Sequence, residues 1–221
     1  WRGNNNIDIL GGDDVDRLSI LSFRIRRGQR DLHYGFVVAL LNDLFGIQAR
    51  GGCSCAGPYG HRLLGMDMSY SRALEAEISR DHMVLRPGWV RMNFNYFIDE
   101  ETFEYLLAAV ELIAEHGWRL LPYYRWDTEQ GVWQFQGIQR TLRTKLTEFD
   151  WHSTRVPVER WEHPLQECLI RAEQELMAPR REDRSFRLEL PATAEALRWF
   201  CTSDDILNKC AAPAQAATAM T

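Results

Sequence analysis

The stretch from Asp99 to Gly117 limits most tightly what this chain can fold into. Phe103, Leu106, Leu107, Val110 and Ile113 recur at the spacing that places them on one face of an α-helix. Asp99 can cap the first turn, and Glu100 and Glu101 lie where the helix dipole favours negative charge. Gly117 supplies the stop. An amphipathic helix of this length must lay its apolar face on another layer, so its neighbours should be strands or helices that share a core.

Those neighbours can be read in chain order. Residues 1–16 are polar and rich in Gly and Asp, which predicts a leading loop. Arg17–Ile25 alternates and is apolar-rich, as a strand is, and Gly28–Asp31 reads as a turn. From Leu32 to Phe45, residues Phe36, Val37, Leu40, Leu41 and Leu44 keep helical spacing, with Gly46 as the stop. His33, at the start of that helix, reads as structural. Ile47–Arg50 is predicted as a short strand, followed by a Gly-rich loop from Gly51 to Gly60. Ser69–Arg80 reads as a helix capped by Ser69, Pro87-Gly88 as a turn and Trp89–Asn95 as a strand. The fold class implied is α/β, with residues 1–117 as one unit and 118–221 as a C-terminal mixed α/β extension.

In the extension, Tyr123–Phe135 predicts a hairpin around Asp127–Gly131, and Pro164–Met177 an amphipathic helix. Ser185–Leu190 reads as a strand, Ala192–Phe200 as a short helix, and the Ala-rich end after Ala211 as frayed. Trp118, Tyr123, Tyr124, Trp126 and Trp133 suggest a packing surface between the two parts.

Charge and cysteine usage narrow the function classes. A net charge of −5 over 221 residues leaves no electrostatic footprint for nucleic acid or an anionic membrane. No apolar run reaches the roughly 20 residues of a membrane helix. The 5 cysteines are odd in number and unevenly spaced, which argues against a disulfide framework and for a reducing cytoplasm. The chain begins at Trp1 without a leader, which predicts that Trp1 is internal to a longer polypeptide.

The segment from Gly46 to Gly60 carries the chemistry. Arg50 ends the predicted strand, Gly51 and Gly52 let the backbone turn, and Cys53 and Cys55 follow on the loop. A nearby cation lowers a thiol from about 8.5 into a range of roughly 3.5–7.5, where it is a nucleophile at neutral pH. Two plainer readings stand beside this one. Loop cysteines are often inert, and Cys53, Cys55 and His61 could be soft metal ligands that lack an evident fourth partner. Arg91, on the predicted strand before the long helix, is either an exposed edge arginine or a bidentate anchor for a carboxylate.

Ser19–Ile25, Gly46–Pro58 and Gly88–Glu111 together resemble the C-terminal domain of class V aminotransferases, which work with pyridoxal phosphate (PLP). Cysteine desulfurases and selenocysteine lyases of that superfamily carry an R-x-G-x-x-C loop, filled here by Arg50, Gly52 and Cys55. The loop is also similar to that of molybdenum-cofactor sulfurases, which have cysteines at both positions where Cys53 and Cys55 stand.

The resemblance covers roughly residues 5–117 and implies the α+β small domain of a PLP fold-type I enzyme. It implies Cys55 as the persulfide-forming nucleophile, Arg50 beside the substrate and Arg91 on its α-carboxylate. It also implies an amino-acid substrate, a possible sulfur acceptor and a homodimer in the full-length form.

PLP chemistry needs a Schiff-base lysine. Only Lys145 and Lys209 are present, and neither sits in the family's lysine motif. The chain alone is therefore expected to lack the cofactor site. A transaminase without persulfide chemistry and a non-catalytic interaction module remain as alternatives. The extension departs from the compact desulfurases.

Overall fold

A computed structural model describes residues 1–12, 16, 18–53, 57–136, 165–178 and 186–206. The protein is a mixed α/β structure. Strands β1 (Ile7–Ile9), β2 (Ile20–Arg27), β5 (Trp89–Asn93) and β4 (Arg50–Gly52) lie side by side in that order, with β3 (Arg30–Asp31) also paired to β2. Every pairing among these strands is antiparallel.

One sheet face carries Phe23, Ile25, Val90 and Met92, all buried. Helix α1 (Tyr34–Phe45) covers that face with Phe36, Val37, Leu40 and Leu41. Helix α4 (Glu100–His116) packs beside α1 through Tyr105, Ala109, Val110 and Ile113. Fully burying an apolar side chain of Val, Leu, Ile or Phe size contributes roughly 1.5–3 kcal/mol, so each of these contacts matters to the core. Gly46 caps α1 in the left-handed conformation at φ 66°, and Asp99 accepts from the Thr102 amide at 2.8 Å, both as the sequence predicts.

Several boundaries differ from expectation for physical reasons. Residues 1–16 are not all loop: Ile7–Ile9 forms β1, whose Ile7 and Ile9 face Ile25 and Phe23 across the ladder. Three residues within a polar run are too few for alternation to register. The strand expected over Ile47–Arg50 lies instead at Arg50–Gly52. The loop after it contains helix α2 (Gly57–Leu63), because Pro58 occupies the first turn, where its missing N–H costs nothing. Helix α3 (Met68–Ile78) is capped by Asp67 and not Ser69; Asp67 accepts from the Tyr70 amide at 2.8 Å and from Ser69 Oγ at 2.7 Å.

The extension packs on the same core. The hairpin β6 (Tyr124–Asp127) and β7 (Val132–Phe135) forms where the sequence places it, and Gly131 takes φ 65° in its turn. Tyr124, Trp126 and Trp133 are buried against α1, which is the packing role expected of this cluster. Helix α5 (Leu165–Met177) lies along α4.

Residues 186–190 do not form the expected strand, and Phe186 instead donates a single backbone bond to the Pro122 carbonyl. The helix expected over Ala192–Phe200 is one turn, α6 (Ala192–Glu195). It stops because the backbone around Phe200 runs beside Asp31, with Cys201 N donating to Asp31 O at 2.8 Å. The Ala-rich end lies outside the described residues. No helix among the described residues is long and apolar enough to cross a membrane.

His33 is fully buried and joins these parts. Its Nδ1 accepts from the Gly35 amide and from Trp133 Nε1, each at 3.0 Å. Two donors at Nδ1 leave the proton on Nε2, which donates to the Val84 carbonyl at 3.1 Å. Tyr34, Trp126, Trp133, Trp199 and Phe200 enclose the ring.

Burial drives the His33 pKa down from 6.5 to about 3, against the opposing pull of the Val84 hydrogen bond. The folded state keeps the ring neutral where the unfolded chain takes up a proton. The contribution is complete above pH 6.5 and is lost as pH falls towards 3. The expected slope is about 1.4 kcal/mol per pH unit below the unfolded pKa. Thermal unfolding followed from about pH 7 to about pH 5 should show a falling midpoint that a His33→Gln variant lacks. Equal slopes in the two proteins would refute this assignment.

Candidate functional site

The second face of the sheet carries the polar residues of the alternating strands. Ser22, Arg24 and Arg26 of β2 share it with Trp89, Arg91 and Asn93 of β5 and with Arg50 of β4, as the ladder register requires. Directly opposed residues in an antiparallel pair hold their Cβ atoms about 4.5–5.5 Å apart, so each facing pair is an electrostatic unit.

On this face the pairs differ in kind. Arg24 faces Asp8 and bonds to it, and also reaches Asp31 at 3.3 Å. Arg26 faces Asp31, with Nε 3.7 Å from its carboxylate. Burial raises the Asp31 pKa, and the neighbouring Arg24 and Arg26 pull it back down. Arg50, by contrast, faces Arg91. Neither has an acidic partner among the described residues. Arg50 is exposed and Arg91 half-buried, and Ser22 stands on the far side of Arg91 in the same row.

The other like-charged pair of the sheet, Arg27 facing Arg30, is compensated. Arg27 lies 4.1 Å over the Trp118 ring, and Arg30 bonds to Asp205 at 3.0 Å.

Glycines make the floor beneath the Arg50–Arg91 pair. A Cβ at Gly88 would stand 2.6 Å from the Gly52 backbone and 2.8 Å from the Tyr34 ring. One at Gly51 would stand 2.7 Å from the Tyr34 ring. Gly52 adopts φ 121°, which only glycine takes without strain. Gly88 lets the two strands approach, Gly51 leaves room for the Tyr34 ring, and Gly52 supplies the backbone turn. Tyr34 fills the space they leave. Burial pushes its hydroxyl pKa up to about 12, opposed by Arg86 and reinforced by Cys53.

Beyond β4, the described flank of the cysteine loop returns to the sheet. A Cβ at Gly60 of α2 would meet the Trp89 ring at 3.3 Å and Cβ of Cys53 at 3.9 Å. Cys53, α2 and Trp89 thus adjoin the row that holds Arg91. Cys53 is a free, half-buried thiol. Cys55, the expected nucleophile, lies outside the described residues. Among the described residues no three His, Cys, Asp or Glu side chains converge as metal ligands.

Arg50 and Arg91, forty-one positions apart by number, are thus brought together by the β4–β5 register. Sequence reading missed Ser22 and the glycine floor. The strands are legible, but register comes from tertiary pairing. A cleft of about 1560 Å³ runs between α1 and the β6–β7 hairpin; Tyr34 and Gly51 line it with Asn42, Arg125, Trp133 and Gln134, and Arg50 and Arg91 do not. Comparison with protein families, with curated proteins and with solved structures finds no match.

Gly88→Ala is expected to cost roughly 1–3 kcal/mol by overpacking against backbone that cannot yield. Gly3→Ala, with nothing within 4 Å of the added Cβ, should change stability by less than about 0.5 kcal/mol. Denaturant unfolding of the two variants checks the contrast.

Proposed function

We propose that the chain is the substrate-facing C-terminal domain of a PLP-dependent enzyme of class V aminotransferase type, working as a cysteine desulfurase or lyase. The observation that supports this most is the pairing of Arg50 with Arg91 on one sheet face without an acidic partner among the described residues. A guanidinium held on a strand presents a planar fork to a carboxylate in fixed orientation. In this reading Arg91 binds the α-carboxylate of an amino-acid substrate, Arg50 lies beside it, and Cys55 receives the sulfur as a persulfide that passes to an acceptor. The setting is the cytoplasm, and the full-length protein is a homodimer.

The residues at hand do not fit the cofactor itself. The described residues include no lysine, and Lys145 and Lys209 lie outside them. The aldehyde of PLP would need a lysine from another part of the enzyme. A non-catalytic interaction module is the second reading. It is favoured by Leu18, Tyr96 and Phe97, which are 78%, 87% and 80% exposed near one end of the sheet.

Two measurements test the proposal. Borohydride reduction of the chain mixed with PLP should give no stoichiometric adduct, and finding one would contradict the missing-lysine reading. In a polypeptide that joins this segment to a cofactor lysine, Arg91→Gln should lower kcat/KM for cysteine by roughly ten- to a hundredfold, the worth of one charged hydrogen bond. Cys55→Ala should abolish release of sulfur from cysteine. Full turnover in that variant would exclude persulfide chemistry.

A further inference from the structure

Four apolar side chains stand in solvent at one end of the sheet. Leu18 and Ile20 lie at the start of β2, and Tyr96 and Phe97 follow the end of β5. The ladder brings the two groups to the same end: Ile20 faces Asn93, and the Phe94 amide donates to the Ser19 carbonyl at 2.7 Å. Tyr96 and Phe97 are held outward by their own turn. The Asn95 side chain accepts from the Phe97 amide at 3.0 Å, and the two rings lie 4.0 Å apart at 31°. Phe94 turns the other way and packs edge-on to Phe103 and Trp1. The segment thus has an inward aromatic of its own, and Tyr96 and Phe97 are surplus to the core. Aromatic rings fixed in this way lose little freedom on binding, which suits an interface anchor.

The charges around these side chains indicate what covers them. Glu100, Glu101 and Glu104 of α4 and Asp16 before β2 are exposed and have no ion-pair partner among the described residues. Hydrogen bonds from the Thr102 side chain and amide hold the Asp99 carboxyl below its usual range, so it too is ionised. Arg91 lies two residues along β5 beyond Asn93, and Arg17 lies outside the described residues. Two copies facing each other across this surface would set the carboxylates against one another, and an anionic membrane would meet the same repulsion. A stable dimer needs about 800 Å² from each partner, whereas a surface centred on two aromatic rings of roughly 150–250 Å² each suits a single helix or strand.

We infer that this corner docks a basic amphipathic segment of another protein. Its apolar side chains cover Leu18, Ile20, Tyr96 and Phe97, and its lysines or arginines meet Glu100, Glu101 and Glu104. The inference names the partner chemistry for the interaction reading above, and it holds equally if the chain is part of a PLP enzyme.

The test uses the 221-residue chain labelled with ¹⁵N. The probe is a synthetic peptide of leucine and lysine at helical spacing, roughly 15 residues or about four turns long. A second peptide carries glutamate at every lysine position. The lysine peptide is expected to move the amide signals of Phe97, Glu100 and Glu101 and to bind roughly tenfold or more tightly than the glutamate peptide. A Y96S/F97S variant should lose roughly tenfold or more of that affinity, since it removes the aromatic anchors. An E100Q/E101Q variant should lose roughly threefold, and added salt should erase that difference. All four side chains are exposed, so both variants should keep the parent's circular dichroism.

Binding that Y96S/F97S leaves unchanged, or equal binding of the two peptides, would overturn the inference. So would no binding of either peptide. A dimer in sedimentation that Y96S/F97S dissociates would overturn it in favour of a second copy. Partition onto phosphatidylserine vesicles through the same residues would overturn it in favour of a membrane. The last two outcomes keep an interaction surface there and change its partner, and none of them touches the PLP reading, which rests on PLP fixation and cysteine turnover.

Discussion

A buried imidazole that accepts twice at one nitrogen and donates at the other is the junction on which this structure depends. His33 caps α1, and its ring fixes the second amide of that helix, the 3₁₀ turn at Met83–Leu85 and the indole of Trp133 in the hairpin. A buried polar group left without partners costs roughly 1–3 kcal/mol, so all of these contacts must be made together or not at all. The ring thereby couples the helix that floors the sheet to the extension that follows it. Trp199 stacks on His33 and also donates to the Leu85 carbonyl at 2.9 Å, which draws the C-terminal segment into the same junction.

From that junction the position of the candidate site follows. Tyr34, the residue after His33, stacks on it and lies against Gly51 and Gly88. The ring held by His33 is thus one residue from the ring that fills the gap between β4 and β5. Those strands set Arg50 against Arg91. Core and site share a short chain of contacts, and the strain of two facing guanidiniums is borne by backbone anchored in the best-packed part of the molecule. Sites built on strands hold their side chains more closely than sites on loops, which suits the carboxylate anchor proposed for Arg91.

The sequence made the helices and the hairpin legible because each has local signals. Asp99, Gly46 and Gly131 mark ends and turns by their own chemistry, and the structure uses all three there, whereas Gly117 ends α4 in a right-handed conformation and leads straight into a 3₁₀ turn over Gly117–Tyr123. What stayed hidden depended on contacts distant in sequence. Ile7–Ile9 becomes a strand only because β2 lies beside it, and Gly51-Gly52 only because Gly88 lets β5 approach. Ser69 looked like the cap of α3, but Asp67 holds both Ser69 and the Tyr70 amide, and a carboxylate is the stronger acceptor. For the site, Arg50 and Arg91 were each legible by residue type. Their opposition was not, since register is a property of pairing.

Strand β4 is only three residues long and lies at the sheet edge, paired on one side by β5. A short edge strand with two glycines has little intrinsic reason to form, and the Arg50–Arg91 repulsion weakens it further. Tyr34 and the backbone of β5 hold it in place. Cys53, a half-buried free thiol, follows directly on that edge strand, so the order of β4 sets where its backbone begins.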